Sequence, residues 1–567
     1  MDVTTGSITS SASLSTFADW TTATAWSLES VLWMLIVGFV IAFILSFAVG
    51  ANDVANSFGT TVGANVLTLR QACILATIFE TAGAVLIGAK VGETIRKGII
   101  DVNVYKTEEG PRLLMLGNIS AMFGSGLWQL IATALKLPVS GTHSIVGASI
   151  GFSLVAVGPL GVNWYNLGFI VASWFISPVL TGFAAVFLFY VVERFCLDSD
   201  DPLKNGLRLM PLFYAVAVGV NIFSFLYSGA PLLGFDNLPL WGTLLIALAS
   251  MIVIAVLTRF VAVPRMRING ETVRLAQDAA REDVGSSGKD FAMTTCDEKK
   301  KEHAPLMVEY KSTSTDLQNT QDTTDGKEKA SSSSRLTDVA RSSSSRDDDV
   351  IGDKSSKHKT SSTLPPIEPF ESDNEESSSL DTQDPEDQDK AEAEEDEDPP
   401  EVRQIFSSLQ ILTACFASFA HGGNDVCNAI GPLIALWLVF WSGEVRQQSF
   451  TPWYLLLYGG VGVSVGLWVM GRRVINTIGK DLTKVTPSRG FCIEVMTAIT
   501  VLVASNIGIP VSTTHCKVGA VVSIGWYRSR AAVDWSIVRN IAFAWFVTVP
   551  VSGLFSAGAM FFLVKVT

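Results

Sequence analysis

Apolar residues come in long runs with few charges over two parts of the chain, broken by short polar or glycine-rich stretches. A helix needs about 20 such residues to cross a bilayer. The runs fall at 31–50, 69–89, 113–135, 137–157, 164–192, 209–229, 238–263, 405–421, 429–441, 453–470, 490–507, 509–527 and 535–565. Several are too short, too polar or too long for one simple helix. Those at 164–192 and 535–565 each hold two helices or one tilted helix. The pattern predicts an all-α polytopic membrane protein with about ten to twelve crossings plus re-entrant pieces.

Between the two apolar parts the pattern stops. Residues 264–404 carry 19 basic and 35 acidic side chains in 141 positions. The formal charge of −13 therefore belongs to this segment, and the rest of the chain is slightly basic. Stretches such as SSSSRLTDVARSSSSRDDD (331–349) and DTQDPEDQDKAEAEEDEDPPE (381–401) cannot bury enough apolar surface to offset the entropy of ordering. The expected organisation is a head at 1–30, a membrane half at 31–263, a disordered acidic Ser-rich loop at 264–404 and a second membrane half at 405–567. The head has no Lys or Arg. It therefore lacks the basic start of a signal peptide and suits the outer face of a membrane. The seven Cys are scattered and mostly lie in apolar runs, which suits small buried side chains rather than a disulfide or zinc framework.

The two membrane halves repeat one another. SFAVGANDVANSFG (46–59) matches SFAHGGNDVCNAIG (418–431) at nine of fourteen positions, at an offset of 372. PVSGTHSIVGA (138–148) matches PVSTTHCKVGA (510–520) at eight of eleven, again at 372. Between them GAKVGETIRKG (88–98) parallels GRRVINTIGKD (471–481) at an offset of 383. SWFISPVLTG (173–182) echoes AWFVTVPVSG (544–553). A membrane module has been duplicated and split by the acidic loop, with two additional spans in 199–263. Duplicated modules of secondary transporters bind substrate and coupling ions near the bilayer midplane, at broken helices.

The repeated motifs carry the chemistry. Asn52, Asp53 and Asn56 recur as Asn424, Asp425 and Asn428. A carboxylate with amide oxygens suits a small cation, Na⁺ or H⁺, because hard cations take oxygen ligands. A polar contact between helices is the alternative. In the PVSGTH and PVSTTH motifs, proline is followed by Ser140 and Thr142, or by Ser512, Thr513 and Thr514, where a helix would begin. Hydroxyls and free N–H groups at a helix start cradle an anion, although plain N-capping uses the same residues. Both motifs read as re-entrant hairpins with their tips at a substrate. His143 and His515 close them, as a proton relay, a substrate contact or a hydrogen-bonded structural pair. Glu80 and Glu494 lie in apolar runs and do not align with each other; intramembrane carboxylates are functional candidates. Ser-x-x-His in both hairpins supplies no nucleophile elbow or triad order, so no enzyme is expected. No cofactor beyond a coupling ion and no nucleic-acid partner is expected.

At these residues the chain resembles the inorganic phosphate transporter (PiT) family, and is most similar to its animal type III sodium-dependent phosphate cotransporters. The resemblance rests on GANDVANSFGTTVG (50–63), LRQACILATIFETAG (69–83), GAKVGETIRKGIIDVN (88–103), LPVSGTHSIVGASIGFSLVAVG (137–158), AHGGNDVCNAIGPL (420–433), GRRVINTIGKDLT (471–483) and ASNIGIPVSTTHCKVGAVVSIGW (504–526). It implies about twelve spans in two inverted repeats, with extracellular termini and the long loop in the cytoplasm. It implies symport of monovalent phosphate with two Na⁺ across the plasma membrane, by a homodimer in lipid; proton coupling, as in non-animal relatives, and phosphate sensing through the loop are the alternatives. By motif, Asp53, Asp425, Asn52 and Asn424 would hold Na⁺. Ser140, Thr142, Ser512, Thr513 and Thr514, with Asn56 and Asn428, would hold phosphate. Glu80 and Glu494 match glutamates important for transport in the animal members. The chain's one N-x-S/T sequon, at Asn118, lies inside an apolar run rather than in the preceding loop.

Overall fold

The computed structural model describes residues 28–227, 235, 238–291, 397–446 and 451–567. Among these residues the only strand-like pairing is an isolated bridge between Ile100 and Val162. All other regular structure is helical, and ten helical stretches are long and apolar enough to cross a membrane. Residues 1–27 of the head expected at 1–30, and 292–396 of the loop expected at 264–404, lie outside the described residues, and a helix already begins at Leu28. At both edges of the expected loop, helix replaces irregular chain: one helix continues over Val263–Phe291, and another begins at Pro400. Proline at the first helical position, where its missing N–H is no loss, sets that second start.

The first copy comprises α1 (Leu28–Asn52), α2 (Ala55–Gly63), α3 (Leu69–Ile87), α4 (Ala89–Lys97), α5 (Gly110–Ala134), α6 (Gly141–Ala156) and α7 (Trp164–Val192). The two additional helices are α8 (Pro202–Tyr227) and α9 (Leu240–Leu257), which leads through a π-helical turn into α10 (Val263–Phe291). The second copy comprises α11 (Pro400–His421), α12 (Cys427–Ser442), α13 (Trp453–Met470), α14 (Arg472–Asn476), α15 (Pro487–Ile507), α16 (Thr513–Arg528) and α17 (Trp535–Val566). The runs at 164–192 and 535–565 are single helices, α7 and α17, with Pro178 and Pro550 inside them. The runs at 405–421 and 429–441 are joined by a π-helical turn over Gly422–Val426. Both copies thus break a helix at the Asn-Asp motif.

The Pro-Val-Ser motifs sit at the turns of two hairpins, α5–α6 and α15–α16. Lys136 (φ 60°) and Gly508 (φ 79°) take the left-handed conformation at equivalent places, 372 residues apart. Ser140 and Ser512 then cap α6 and α16, each accepting the backbone N–H of the histidine three residues on. Both helices have 16 residues, about 24 Å of rise, short of the ~30 Å hydrocarbon core. Ser140, Ser512 and their neighbours are therefore buried within the protein rather than at its surface.

The copies are interlocked rather than side by side. α6 packs on α17 and α16 on α7; α1 packs on α13 and α11 on α3. Glycines set the closest crossings, because a Cβ at Gly83 would lie 1.9 Å from Phe419 O and one at Gly466 would lie 1.9 Å from Phe47 O. Gly50 meets Val463 O and Gly422 meets Glu80 O in the same way. Each crossing is the other under the sequence offsets, so one packing solution is used twice. In contrast, α9 packs chiefly on α8 and leaves Trp241, Leu245 and Val253, with Phe260 of the π-helical turn that follows, on an exposed apolar face suited to lipid. The six described Cys are all free and buried.

Asn118 lies in the middle of α5, is buried and donates to Leu114 O at 2.8 Å. An Asn118→Gln chain is expected to migrate on gels like the wild type, with or without glycosidase. Gly83→Val and Gly466→Val are each expected to destabilise the fold by about 1–3 kcal/mol through overpacking, read as an earlier midpoint in thermal gel filtration in detergent.

Candidate functional site

The two broken helices and the two hairpin tips meet at one place, where all of the contributing side chains are buried. Asn52 and Asn424 hold the hairpin tips. Asn52 Nδ2 donates to Leu137 O and to Thr133 Oγ1, both at 3.0 Å, and its Oδ1 accepts from Val139 N. Asn424 Nδ2 donates to Val511 O at 3.0 Å, the equivalent carbonyl region of the second tip. The tips are then tied across the copies. Thr142 Oγ1 donates to Val511 O, and Thr514 Oγ1 donates to Val139 O. Asn428 Nδ2 reaches Thr142 Oγ1 and Asn56 Nδ2 reaches Thr514 Oγ1, each at 2.8 Å. The same hydrogen bond has been made twice, once by each copy.

The carboxylates come together around the start of α6. A Cβ on Gly141 would lie 2.6 Å from Asp53 Oδ2 and 3.8 Å from Asp425 Oδ1. Asp53 Oδ2 accepts the Gly141 backbone N–H at 3.1 Å, whereas its Oδ1 is buried without a partner. Asp425 is better held: Thr513 Oγ1 donates to Oδ2 at 2.7 Å and Asn428 Nδ2 to Oδ1 at 2.9 Å. The orphaned buried acceptors at the site are Asp53 Oδ1, Asn56 Oδ1, Asn424 Oδ1 and Asn428 Oδ1. An unsatisfied buried oxygen costs about 1–3 kcal/mol, and four together make a ready set of hard ligands for a small cation. Asn52 is different, since its carboxamide is engaged with the first hairpin. The opposite chemistry faces the same place at the N-termini of α6 and α16; the hydroxyls of Thr142, Thr513 and Thr514 beside them donate to Val511 O, Asp425 Oδ2 and Val139 O.

His143 and His515 do not point into this hydroxyl set. Their rings lie 4.3 Å apart between two indoles: His143 stacks on Trp174 at 3.7 Å, and His515 on Trp545 at 3.6 Å. His515 Nδ1 also lies 3.0 Å from Trp174 O. The ring column joins the hairpins where the copies meet, and His143 Nδ1 and His515 Nε2 are left buried without a partner.

Glu80 and Glu494 both bond to α2, Glu80 through Ser57 and Glu494 through Thr60 and Thr61, in a second layer. Glu80 Oε1 accepts from Ser57 and Ser418, and its Oε2 lies 2.7 Å from His421 Nδ1. His421 Nε2 is 3.2 Å from Asp425 Oδ2, near in distance but off-line for a hydrogen bond. His421 thus bridges Glu80 to the centre. Glu494 accepts from Thr60, Thr61, Thr413 and Gln410, and the buried Lys517 stands beside it. Sequence reasoning passed over His421 and Lys517. Both occupy positions where the repeat blocks differ, opposite Val49 and Ile145, and that exchange of an apolar for a basic side chain was the available signal.

A cavity of about 700 Å³ leads to the second tip from one face, lined by Lys90, Lys97, Asn166, Gly508 and Pro510 among others. Its walls also carry Glu93, which pairs with Lys97 at 2.9 Å.

Comparison with known proteins shows the family. The model of the "Phosphate transporter family" matches residues 49–556. A "Sodium-dependent phosphate transporter 1-A" from Danio rerio is 47% identical, over 94% of this chain and 95% of that protein. A "Sodium-dependent phosphate transporter 2" from Xenopus tropicalis is 45% identical, over 93% and 97%. A solved structure, "The sodium-dependent phosphate transporter", superposes with a TM-score of 0.66 at 31% identity, covering 94% of this chain and all of that one. With its duplicated Asn-Asp breaks and paired hairpins, the chain is a multi-pass membrane protein that belongs to the phosphate transporter family.

Proposed function

We propose that this protein imports inorganic phosphate with Na⁺ across the plasma membrane by alternating access, as a homodimer with both termini outside and the acidic loop in the cytoplasm. The names of its relatives support the substrates. The observation that carries the mechanism is that Asp53, Asn56, Asn424 and Asn428, which tie the Asn-Asp segments to the starts of α6 and α16, each leave one buried acceptor oxygen without a partner. Asp53 and Asp425, with the free carboxamide oxygens of Asn56, Asn424 and Asn428, take the cations. Ser140, Thr142, Ser512, Thr513 and Thr514 take phosphate, together with the N–H groups that begin α6 and α16. Asn56 and Asn428 move to the cation side in this reading because their NH₂ groups are already spent on Thr514 and Thr142.

The coupling follows from charge. Two buried carboxylates repel a phosphate anion, and bound cations turn that repulsion into attraction. By reciprocity, phosphate raises Na⁺ affinity by the same factor. Two Na⁺ with one monovalent phosphate carry one net positive charge inward, and the membrane potential adds about 2.3 kcal/mol per charge per 100 mV. The cross-copy bonds between the tips, Thr142 to Val511 and Thr514 to Val139, are the contacts that have to part as the site changes sides.

Radiolabelled phosphate uptake in oocytes is expected to collapse when choline replaces Na⁺. Uptake unchanged in choline and raised by acid would assign the coupling to protons instead. Asp53→Asn and Asp425→Asn are each expected to lower uptake at least about tenfold, a loss of ~1.4 kcal/mol or more of binding. Asn424→Ala is expected to raise the Na⁺ concentration for half-maximal uptake. Asn52→Ala is expected to lower the maximal rate with little change in that concentration, because its carboxamide holds the hairpin and not the ion.

A further inference from the structure

Lys517 is fully buried, and its Nζ has no hydrogen-bond acceptor. It lies 3.9 Å from Glu494 Oε1, outside the ~2.7–2.9 Å of a charge-assisted hydrogen bond. An ammonium that neutralises a carboxylate without bonding to it leaves three donors unsatisfied, which is a poor salt bridge. Glu494 needs no further donor. Its Oε1 accepts from Thr60 at 2.6 Å, Thr61 at 2.5 Å and Gln410 Nε2 at 3.5 Å, and its Oε2 accepts from Thr413 at 3.2 Å. A carboxylate ringed by three hydroxyl oxygens is the donor set of a small hard cation.

The pseudo-twofold relation sharpens this. At the offset of 372, Lys517 corresponds to Ile145, Glu494 to Met122, Thr413 to Ile41, and Thr60 and Thr61 to Pro432 and Leu433. Met122, Ile145 and Leu433 are buried in one apolar core. The charged cluster therefore exists on one side of the molecule only. It is also close to the transport centre. Thr60 lies one turn along α2 from Asn56, and Lys517 one turn along α16 from Thr513 and Thr514.

We infer that Glu494, Thr60, Thr61 and Thr413 form a further cation site, whose charge is balanced by the protein's own Lys517 ammonium standing 3.9 Å from Glu494 Oε1 in place of an ion from solution. The tethered charge keeps Glu494 neutralised in every state of the hairpin α15–α16 and takes no ion from solution. Removing the lysine should open the site to a solution cation, and removing Glu494 as well should close it.

The test uses the full chain, purified in detergent without phosphate, so its outcome is independent of the substrate assignment. Melting temperature is followed as Na⁺ replaces choline at constant ionic strength, for the wild type, Lys517→Met and Lys517→Met/Glu494→Gln. Lys517→Met is expected to gain a saturable Na⁺-dependent rise of roughly 2 °C or more beyond the wild-type response. The double variant is expected to lose that gain, and Lys517→Arg to behave like the wild type. Superimposable Na⁺ titrations for Lys517→Met and the wild type would overturn the inference. So would a single variant that cannot be recovered in Na⁺ although the double variant can, since no solution cation would then be replacing the ammonium.

Discussion

Two carboxylates, Asp53 and Asp425, are buried within reach of a single glycine, Gly141. The rest of the membrane architecture follows from making that tolerable. Like charges in a low-dielectric interior repel strongly unless donors or cations stand between them. The fold supplies donors by bringing two re-entrant helix starts to the same point and tying their tips to the broken helices. It leaves four oxygens without partners, and these are the acceptors that the proposed function assigns to cations.

The duplication is faithful in backbone and unfaithful in charge. The glycine crossings, the left-handed turns, the N-caps and the Asn-to-Thr bonds all occur twice. The second layer occurs once. Glu80 with His421 has Val463 and Val49 at the corresponding places, and Glu494 with Lys517 has Met122 and Ile145. Packing constraints act on both copies alike, because each helix of one copy rests on its counterpart's partner in the other. Charge is not so constrained, and the two halves have become electrostatically different around a shared centre.

The interlocking also accounts for the ring column. Trp174, His143, His515 and Trp545 stack across the boundary between copies. α6 leans on α17 and α16 on α7, so each hairpin is braced by the other copy.

Much of this was legible in the chain. Long apolar runs gave the spans, and the twin motifs gave the duplication, the broken helices and the hairpins. The reason is local: spans are set by length and hydrophobicity, and caps and turns by a few neighbouring residues. The division of labour within the motifs was not legible. Asn52 and Asn56 stand four residues apart, and only the tertiary structure shows the first clamping a hairpin while the second leaves its oxygen free. His143 and His515 end the most suggestive motifs and proved to stack on indoles. His421 and Lys517, in positions where the repeats differ, acquire their meaning from Glu80 and Glu494, which come from other helices. Sequence determines which groups a membrane segment carries. Which of them remain unsatisfied, and so able to bind, is decided only when distant helices are packed together.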